Sequence, residues 1–292
     1  SDTGIYGIPL YADPLVMYWN RTLFTNASIS VPPKYWDEFL TLPAKLTKKD
    51  STGTVTSSAI ALGEWRNITR AKEILANLFL QSGISIVETP RTGMPYSTLM
   101  SDNNYNVLNF YTQFANPVTA QYSWNRSLVQ SQNYFLLGNL ATYLGLASEL
   151  PGLRTKNPNL NFDVTLSPQP RQADKSVVFA HIYGLSIPKQ AKNVAGAFAV
   201  VSAMTGEAGA KTLEAYTNLP PVRRALLSDT PSDPYKAVFY KSAIQSATWG
   251  DPDRQETNTI FQVMVESITS GRARITDAVR KADDELKVLL GQ

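Results

Sequence analysis

Cysteine is absent from the 292 residues, and histidine occurs once, at His181. The first absence excludes disulfides, zinc–thiolate centres and thiol catalysis. The second leaves any zinc site dependent almost wholly on carboxylates, and it allows a Ser–His–Asp triad a single imidazole. Neither a metal nor a cofactor is therefore expected. An excess of one charge is also missing: 27 Lys and Arg stand against 24 Asp and Glu, a formal +3. The densest basic stretch, Lys45 to Lys49, holds three lysines and reads as the end of a helix. Nucleic acid is not expected as a partner, because phosphate backbones are met by basic residues clustered on one face. No run of about 18 apolar residues occurs, the length a helix needs to cross a bilayer. No signal peptide or initiating Met precedes Ser1, and the chain moves at once into the strand-like Ile5-Tyr6-Gly7-Ile8-Pro9-Leu10. A start inside a strand reads as cut from a longer chain. What remains is ordinary globular material. With 43% hydrophobic and 17% charged residues it can bury a sizeable core, and its length suits two cores better than one.

Hydrophobic spacing divides the chain into elements. A strand is expected over Ser1 to Tyr11, and the apolar Leu15 to Trp19 is expected to be buried. Pro32-Pro33 breaks the chain ahead of Trp36-Asp37-Glu38-Phe39-Leu40, a helix start with acids where the dipole favours them; Pro43 predicts that this helix is kinked or short. Asn67 reads as the N-cap of a helix carrying Ile68, Ala71, Ile74, Leu75, Leu78 and Phe79 and stopping at Gly83. A second amphipathic helix carries Val107, Leu108, Tyr111 and Phe114. Short strands are expected over Ala141 to Leu146 and Phe162 to Leu166, and a longer one over Val177 to Ile187, closed by Pro188. From Lys192 onward helices dominate: Ala195 to Met204, Glu207 to Tyr216, Tyr235 to Ser246, Thr257 to Thr269 and Ile275 to Leu290. Strands mixed with helices, then helices alone, predict an α/β protein with a helical C-terminal third.

Several strings carry a resemblance. Gly7-Ile8-Pro9 is followed by Asp13 and then by Met17-Tyr18-Trp19-Asn20-Arg21 with Leu23-Phe24. Pro32-Pro33-Lys34-Tyr35-Trp36-Asp37-Glu38-Phe39 leads to Ala44-Lys45-Leu46-Thr47. Gly138-Asn139-Leu140-Ala141-Thr142-Tyr143 comes later, then Tyr183-Gly184-Leu185-Ser186-Ile187-Pro188-Lys189 with Lys192-Asn193 and Ala197-Phe198, and last Leu219-Pro220-Pro221-Val222-Arg223-Arg224. In order and spacing these resemble the family 1 extracellular solute-binding proteins of ABC importers, the group that includes maltose-binding protein. The resemblance implies a two-lobe, periplasmic-binding-protein-like fold of type II, with the ligand between the lobes. It implies a first hinge crossing at 1–12, a second α/β lobe at 13–178, a return crossing at 179–188, and a helical remainder of the first lobe at 189–292, some of whose late helices lean on the second lobe. The opening part of the first lobe is then expected to lie outside this sequence. It also implies an exported monomer, periplasmic or held at the cell surface by a lipid anchor not in this chain, that delivers a sugar or oligosaccharide to a membrane permease.

Capture by hinged closure needs aromatic faces and hydrogen-bonding groups on both cleft walls. Glu64-Trp65-Arg66-Asn67 is the leading candidate, a polar and aromatic turn ahead of a helix; the alternative is that Trp65 packs under the helix and Asn67 only caps. Tyr11 and Asp13 at the first crossing, and His181 and Tyr183 at the second, are candidates for the cleft floor. Ser148 and Glu149 follow the strand ending at Leu146, where many sugar-binding members of the family carry a Trp; its lack here argues against a simple maltose-like stacking site. Trp249 is a further candidate. Trp124 is a weaker one, Trp19 and Trp36 are assigned to the core, and Asp283-Asp284-Glu285 reads as a solvated helix face. Two other functions share these residues. A carbohydrate-active enzyme needs two carboxylates set a defined distance apart, and the spacing of Glu64 and Asp13 does not demand that. A sensing or adhesion module needs an apolar surface patch more than a polar cleft. The expectation is a binding protein without catalysis.

Overall fold

The spine of the molecule is one long strand, β1 (Ile8–Asn20), in a computed structural model that describes residues 6–292. Ser1 to Ile5 of the expected first strand lie outside the described residues. In chain order there follow β2 (Lys48–Lys49), β3 (Val55–Ile60), helix α1 (Ala71–Gln81), the small hairpin β4 (Val87–Glu88) and β5 (Tyr96–Ser97), and helix α2 (Asn104–Thr112). Next come β6 (Leu140–Leu146), β7 (Phe162–Leu166) and β8 (Val178–Leu185). The remainder holds α3 (Val194–Thr205), α4 (Glu207–Thr217), α5 (Pro234–Ile244), β9 (Ser246–Ala247), α6 (Arg254–Thr269) and α7 (Ile275–Leu289).

The main sheet runs β2-β3-β6-β1-β8-β9, with β7 also on β1. The β3/β6 and β8/β9 pairs are parallel and the others antiparallel. β1 changes partners along its length. Leu15 to Trp19 pair with β6, and Val16 to Asn20 pair with β7. Ile8 to Pro14 pair instead with β8, through an irregularity between Pro9 and Tyr11. This explains the apolar run Leu15 to Tyr18: it is covered on both faces, so it shows no polar alternation. Against it the rings of Tyr18, Phe135, Tyr143 and Phe162 pack with centroids 5.6–6.5 Å apart. Tyr18, Phe135 and Tyr143 are fully buried, and a ring so buried contributes roughly 1.5–3 kcal/mol.

The C-terminal pair α6 and α7 packs together and against α2, and Phe261 enters the core beside Trp65, Phe79 and Trp249. On α3, by contrast, Val194, Phe198 and Val200 are exposed.

Several expectations change in the structure. Asn67 does not cap α1: Arg70 stands at the N-cap, with no side-chain cap bond. The helix expected from Trp36 splits into a 3-10 turn (Trp36–Leu40) and one α-turn (Leu42–Leu46), with Pro43 in its first turn, where a missing N–H costs nothing. Asp283 is only 1% exposed and is not on a solvated face; it accepts from Ser97 Oγ at 2.5 Å and pairs with Lys287 at 2.6 Å. Trp36 and Trp124 are buried, whereas Trp19 is half-buried at the core margin.

Candidate functional site

Midway along β1, at the end of β6 and along β8, side chains meet the first turn of α1 and the first two turns of α6. A cleft of about 840 Å³ lies there. Asp13 from β1, and Phe179, His181 and Tyr183 from β8, form its floor; Ser148 lies beyond the end of β6. Thr69, Arg70, Lys72 and Glu73 line one wall, and Trp249, Asp251, Arg254, Gln255 and Asn258 the other. A second chamber of about 570 Å³ adjoins it, sharing Thr69, Lys72, Glu73 and Asn258 and adding Trp65, Arg66, Gln130, Gln132, Asn133 and Gln262.

The floor combines an aromatic surface with fixed charge. Tyr11 and Tyr183 are direct cross-strand partners, their rings stacked at 4.8 Å and 22°. Tyr183 keeps 41% of its surface exposed. Two residues along, Asp13 sits opposite His181. The Asp13 carboxylate is buried and accepts from the Ser148 backbone N–H at 2.9 Å. Burial raises its pKa above the ordinary Asp value, against the lowering effect of the Ser148 bonds and of His181. His181 Nε2 meets Glu73 Oε1 at 3.2 Å. Burial alone would raise Glu73, but the bond from His181, a backbone N–H and the charge of Arg70 together hold it below its usual value.

The walls are braced. Lys72 Nζ donates to Asp251 at 2.5 Å, to the Arg254 carbonyl at 2.9 Å and to Thr257 Oγ1 at 2.6 Å, and it lies 5.6 Å from the Trp249 ring centroid. Trp249 stacks on Phe261 and is buried, so it presents little of its ring to the cleft. Among the described residues, the side chains of Arg254, Gln255 and Asn258 make no hydrogen bond, and they remain available to a ligand.

The other candidates fall elsewhere. Trp65 is buried against Phe261 at the margin of the adjoining chamber. Glu64 is buried and paired with Arg126 at 3.2 Å; Arg66 reaches Glu266 at 3.0 Å. With Asn67 these line a separate charged pocket of about 360 Å³. Asn67 ties down the neighbouring loop: it donates to the carbonyls of Asn125 (2.8 Å) and Leu128 (2.9 Å) and accepts from Trp124 Nε1 at 3.1 Å. Glu149 faces inward, bonded to Arg70, Gln132 and Tyr143. Arg70, Lys72, Glu73 and Asn258 were missed. One signal was present: Arg254, Asn258 and Gln262 are spaced i, i+4, i+8, a polar stripe opposite Ile260, Phe261 and Met264.

Among the described residues, no group of three His, Asp or Glu is placed to hold a metal ion, and no helix is long and apolar enough to cross a membrane.

Residues 1–238 match the family described as bacterial extracellular solute-binding protein. No curated protein matches in sequence. Among solved structures, an ABC transporter solute-binding protein from Thermotoga lettingae TMO, bound with alpha-D-tagatose, is 17% identical with a TM-score of 0.70, over 98% of this chain and 72% of its own. A cyclo/maltodextrin-binding protein complexed with maltotetraose is 14% identical with a TM-score of 0.76, over 98% and 71%. UgpB from Mycobacterium tuberculosis, in complex with glycerophosphocholine, is 18% identical with a TM-score of 0.73, over 100% and 72%. At these identities the likeness is one of fold: the type II periplasmic-binding-protein architecture of two α/β lobes.

Proposed function

This chain belongs to the bacterial extracellular solute-binding proteins, and from that premise we propose that it captures a sugar or oligosaccharide in the cleft above β1 and β8. The observation that carries the reading is Tyr183, 41% exposed on the floor of a cleft whose walls are polar, its ring backed by the stacked ring of Tyr11. A pyranose ring presents a flat C–H face to an aromatic ring and hydroxyls at its rim, and a polar-walled aromatic floor suits both. The adjoining chamber lined by amide side chains supports a ligand longer than one ring.

The chain divides into lobes as the resemblance implies: crossings at 1–12 and 179–188, one lobe at 13–178, and a helical part of the other at 189–292. The pairing of Ile8 to Pro14 with β8 supports this, since two strands side by side can bend together as a hinge. Ligand touching both lobes selects the closed state, and the closed protein docks on an ABC importer permease outside the cytoplasmic membrane. The protein acts as a monomer, taking one ligand per chain. It catalyses nothing: the cleft carboxylates Asp13, Glu73 and Asp251 are each held by protein donors or cations.

The test is calorimetry and thermal shift with a panel of mono-, di- and oligosaccharides, polyols and peptides, on the chain and on any longer form of it. Saturable binding at one ligand per chain is expected for a saccharide, with no product released. Silence across the saccharides, or turnover of any of them, overturns the reading.

A further inference from the structure

Glu149 stands beside the cleft with no bonding capacity left for a ligand. Its Oε1 accepts from Arg70 Nε at 2.5 Å and from the Leu146 backbone N–H at 3.1 Å. Its Oε2 accepts from Gln132 Nε2 at 2.8 Å and from the Tyr143 hydroxyl. A carboxylate offers about four lone-pair sites, so four donors fill it. The side chain is 6% exposed. The strand that passes it is shaped to fit: a Cβ on Gly145 would lie 2.6 Å from the Tyr143 ring and 3.1 Å from Glu149 Oε2.

The four donors come from four places: the start of α1, the turn of helix Ser131–Leu136, the middle of β6 and its end. Of the side chains among them, Arg70 lines the main cleft, 30% exposed. Its Nε is committed to Glu149, and an Nη stands 3.7 Å from Glu73, long for a hydrogen bond. The remaining guanidinium N–H groups are free to donate.

We propose that Arg70 orients the hydroxyls of the captured solute and that Glu149 is its positioning residue. The proposal rests on the capture reading and sharpens its chemistry. One guanidinium is held between two carboxylates, Glu149 and Glu73, so the local charge is net negative. The site donates to neutral oxygens and repels anionic ones. Lys72 does not change this, because it is closed on Asp251 and Thr257, and the free guanidinium of Arg254 belongs to the opposite wall, where it meets another part of the ligand. The ligand end that meets Arg70 is therefore an uncharged polyol face, not a phosphate or carboxylate.

The experiment has two arms. Without ligand, the Arg70 Nε–H resonance is identified by its loss in Arg70→Lys, and its solvent exchange is measured in wild type and Glu149→Gln. With ligand, maltotriose is titrated into wild type, Arg70→Lys, Glu149→Gln and Tyr143→Phe. We expect exchange to speed at least tenfold in Glu149→Gln. Affinity is expected to fall at least tenfold in Arg70→Lys and about three- to tenfold in Glu149→Gln. Tyr143→Phe removes another of the Glu149 donors without touching Arg70; it lowers Tm and leaves affinity within twofold. Unchanged Nε–H exchange in Glu149→Gln, or wild-type affinity in Arg70→Lys, overturns the proposal. A loss of affinity in Tyr143→Phe equal to that in Glu149→Gln also overturns it, since Glu149 would then act only through general stability. Should Glu149→Gln fail to fold, the partly exposed Arg70→Lys carries the test alone. If wild type takes neither maltotriose nor any other saccharide, the capture reading falls, and the ligand role of Arg70 with it. The exchange arm still decides whether Glu149 positions Arg70.

Discussion

Removing the Asn67 side chain tests the loop that carries a wall of the adjoining chamber. Its amide makes three bonds: Nδ2 to the carbonyls of Asn125 and Leu128, and Oδ1 from Trp124 Nε1. Its own carbonyl accepts from the Ser131 N–H at 2.9 Å. Trp124 is fully buried, so Asn67→Ala leaves its indole N–H without a partner and without water. Each ordinary bond contributes about 1 kcal/mol net, and an orphaned buried donor costs about 1–3 kcal/mol. The carbonyls of Asn125 and Leu128 can turn to solvent, so the indole dominates, and the expected loss is about 2–4 kcal/mol. For a chain of this size that lowers Tm by roughly 4–16 °C. Urea unfolding followed by circular dichroism measures it, with the slope expected to be unchanged. A double-mutant cycle isolates the cause. Trp124→Phe removes the donor, so Asn67→Ala in that background should cost at least about 1 kcal/mol less than in wild type. A loss below about 0.5 kcal/mol, or strict additivity in the cycle, would refute the role given to Asn67.

Three further outcomes are expected. Tyr183→Ala should weaken saccharide binding about tenfold in calorimetry while Tm changes little, because 41% of the residue is already exposed; equal affinity would remove the stacking floor. Gly145→Ala should destabilise by about 1–3 kcal/mol in urea unfolding through the close approach to Tyr143; a neutral result would mean that β6 shifts freely. For Asp13 the sign follows from its raised folded pKa: between the unfolded and folded values the native state binds more protons, so this group makes stability fall as pH rises. Asp13→Asn should therefore raise Tm above the folded pKa, and the gain should vanish as pH falls through that window. A gain that is the same at all pH values would show that charge is not the cause.

Much of the architecture was legible because periodicity reports burial. The C-terminal helices stand within a few residues of their expected bounds, as do β6, β7 and β8. β3 was not read, since Val55-Thr56-Ser57-Ser58-Ala59-Ile60 buries small hydroxyls that look like a loop; its order comes from tertiary bonds such as Thr142 Oγ1 to the Ala59 carbonyl. Asn67 was misread for a similar reason. An Asx ahead of an apolar run is a local cap signal, but its partners lie some 60 residues away. Of the candidate residues, Asp13, Ser148, His181, Tyr183 and Trp249 share the main cleft. Arg70, Lys72 and Glu73 were invisible as a group because an acid in a first helical turn has an ordinary explanation in the dipole, and a lone Arg and Lys beside it read as solvated charges. Only the fold turns that end of α1 toward the strand ends.

The partner change along β1 separates two kinds of change the protein can tolerate. From Val16 to Trp19 the strand is held on both edges, so a substitution there disturbs β6, β7 and their packing at once. The floor of the cleft is carried by β1 and β8, but its walls are made from pieces outside the sheet: Thr69 to Glu73, Ser148, and Thr248 to Asn258. Each piece sits on a different element, and their braces run to one another more than to the spine. Solute preference can therefore drift by exchanging these ends one at a time, with the scaffold left as it is.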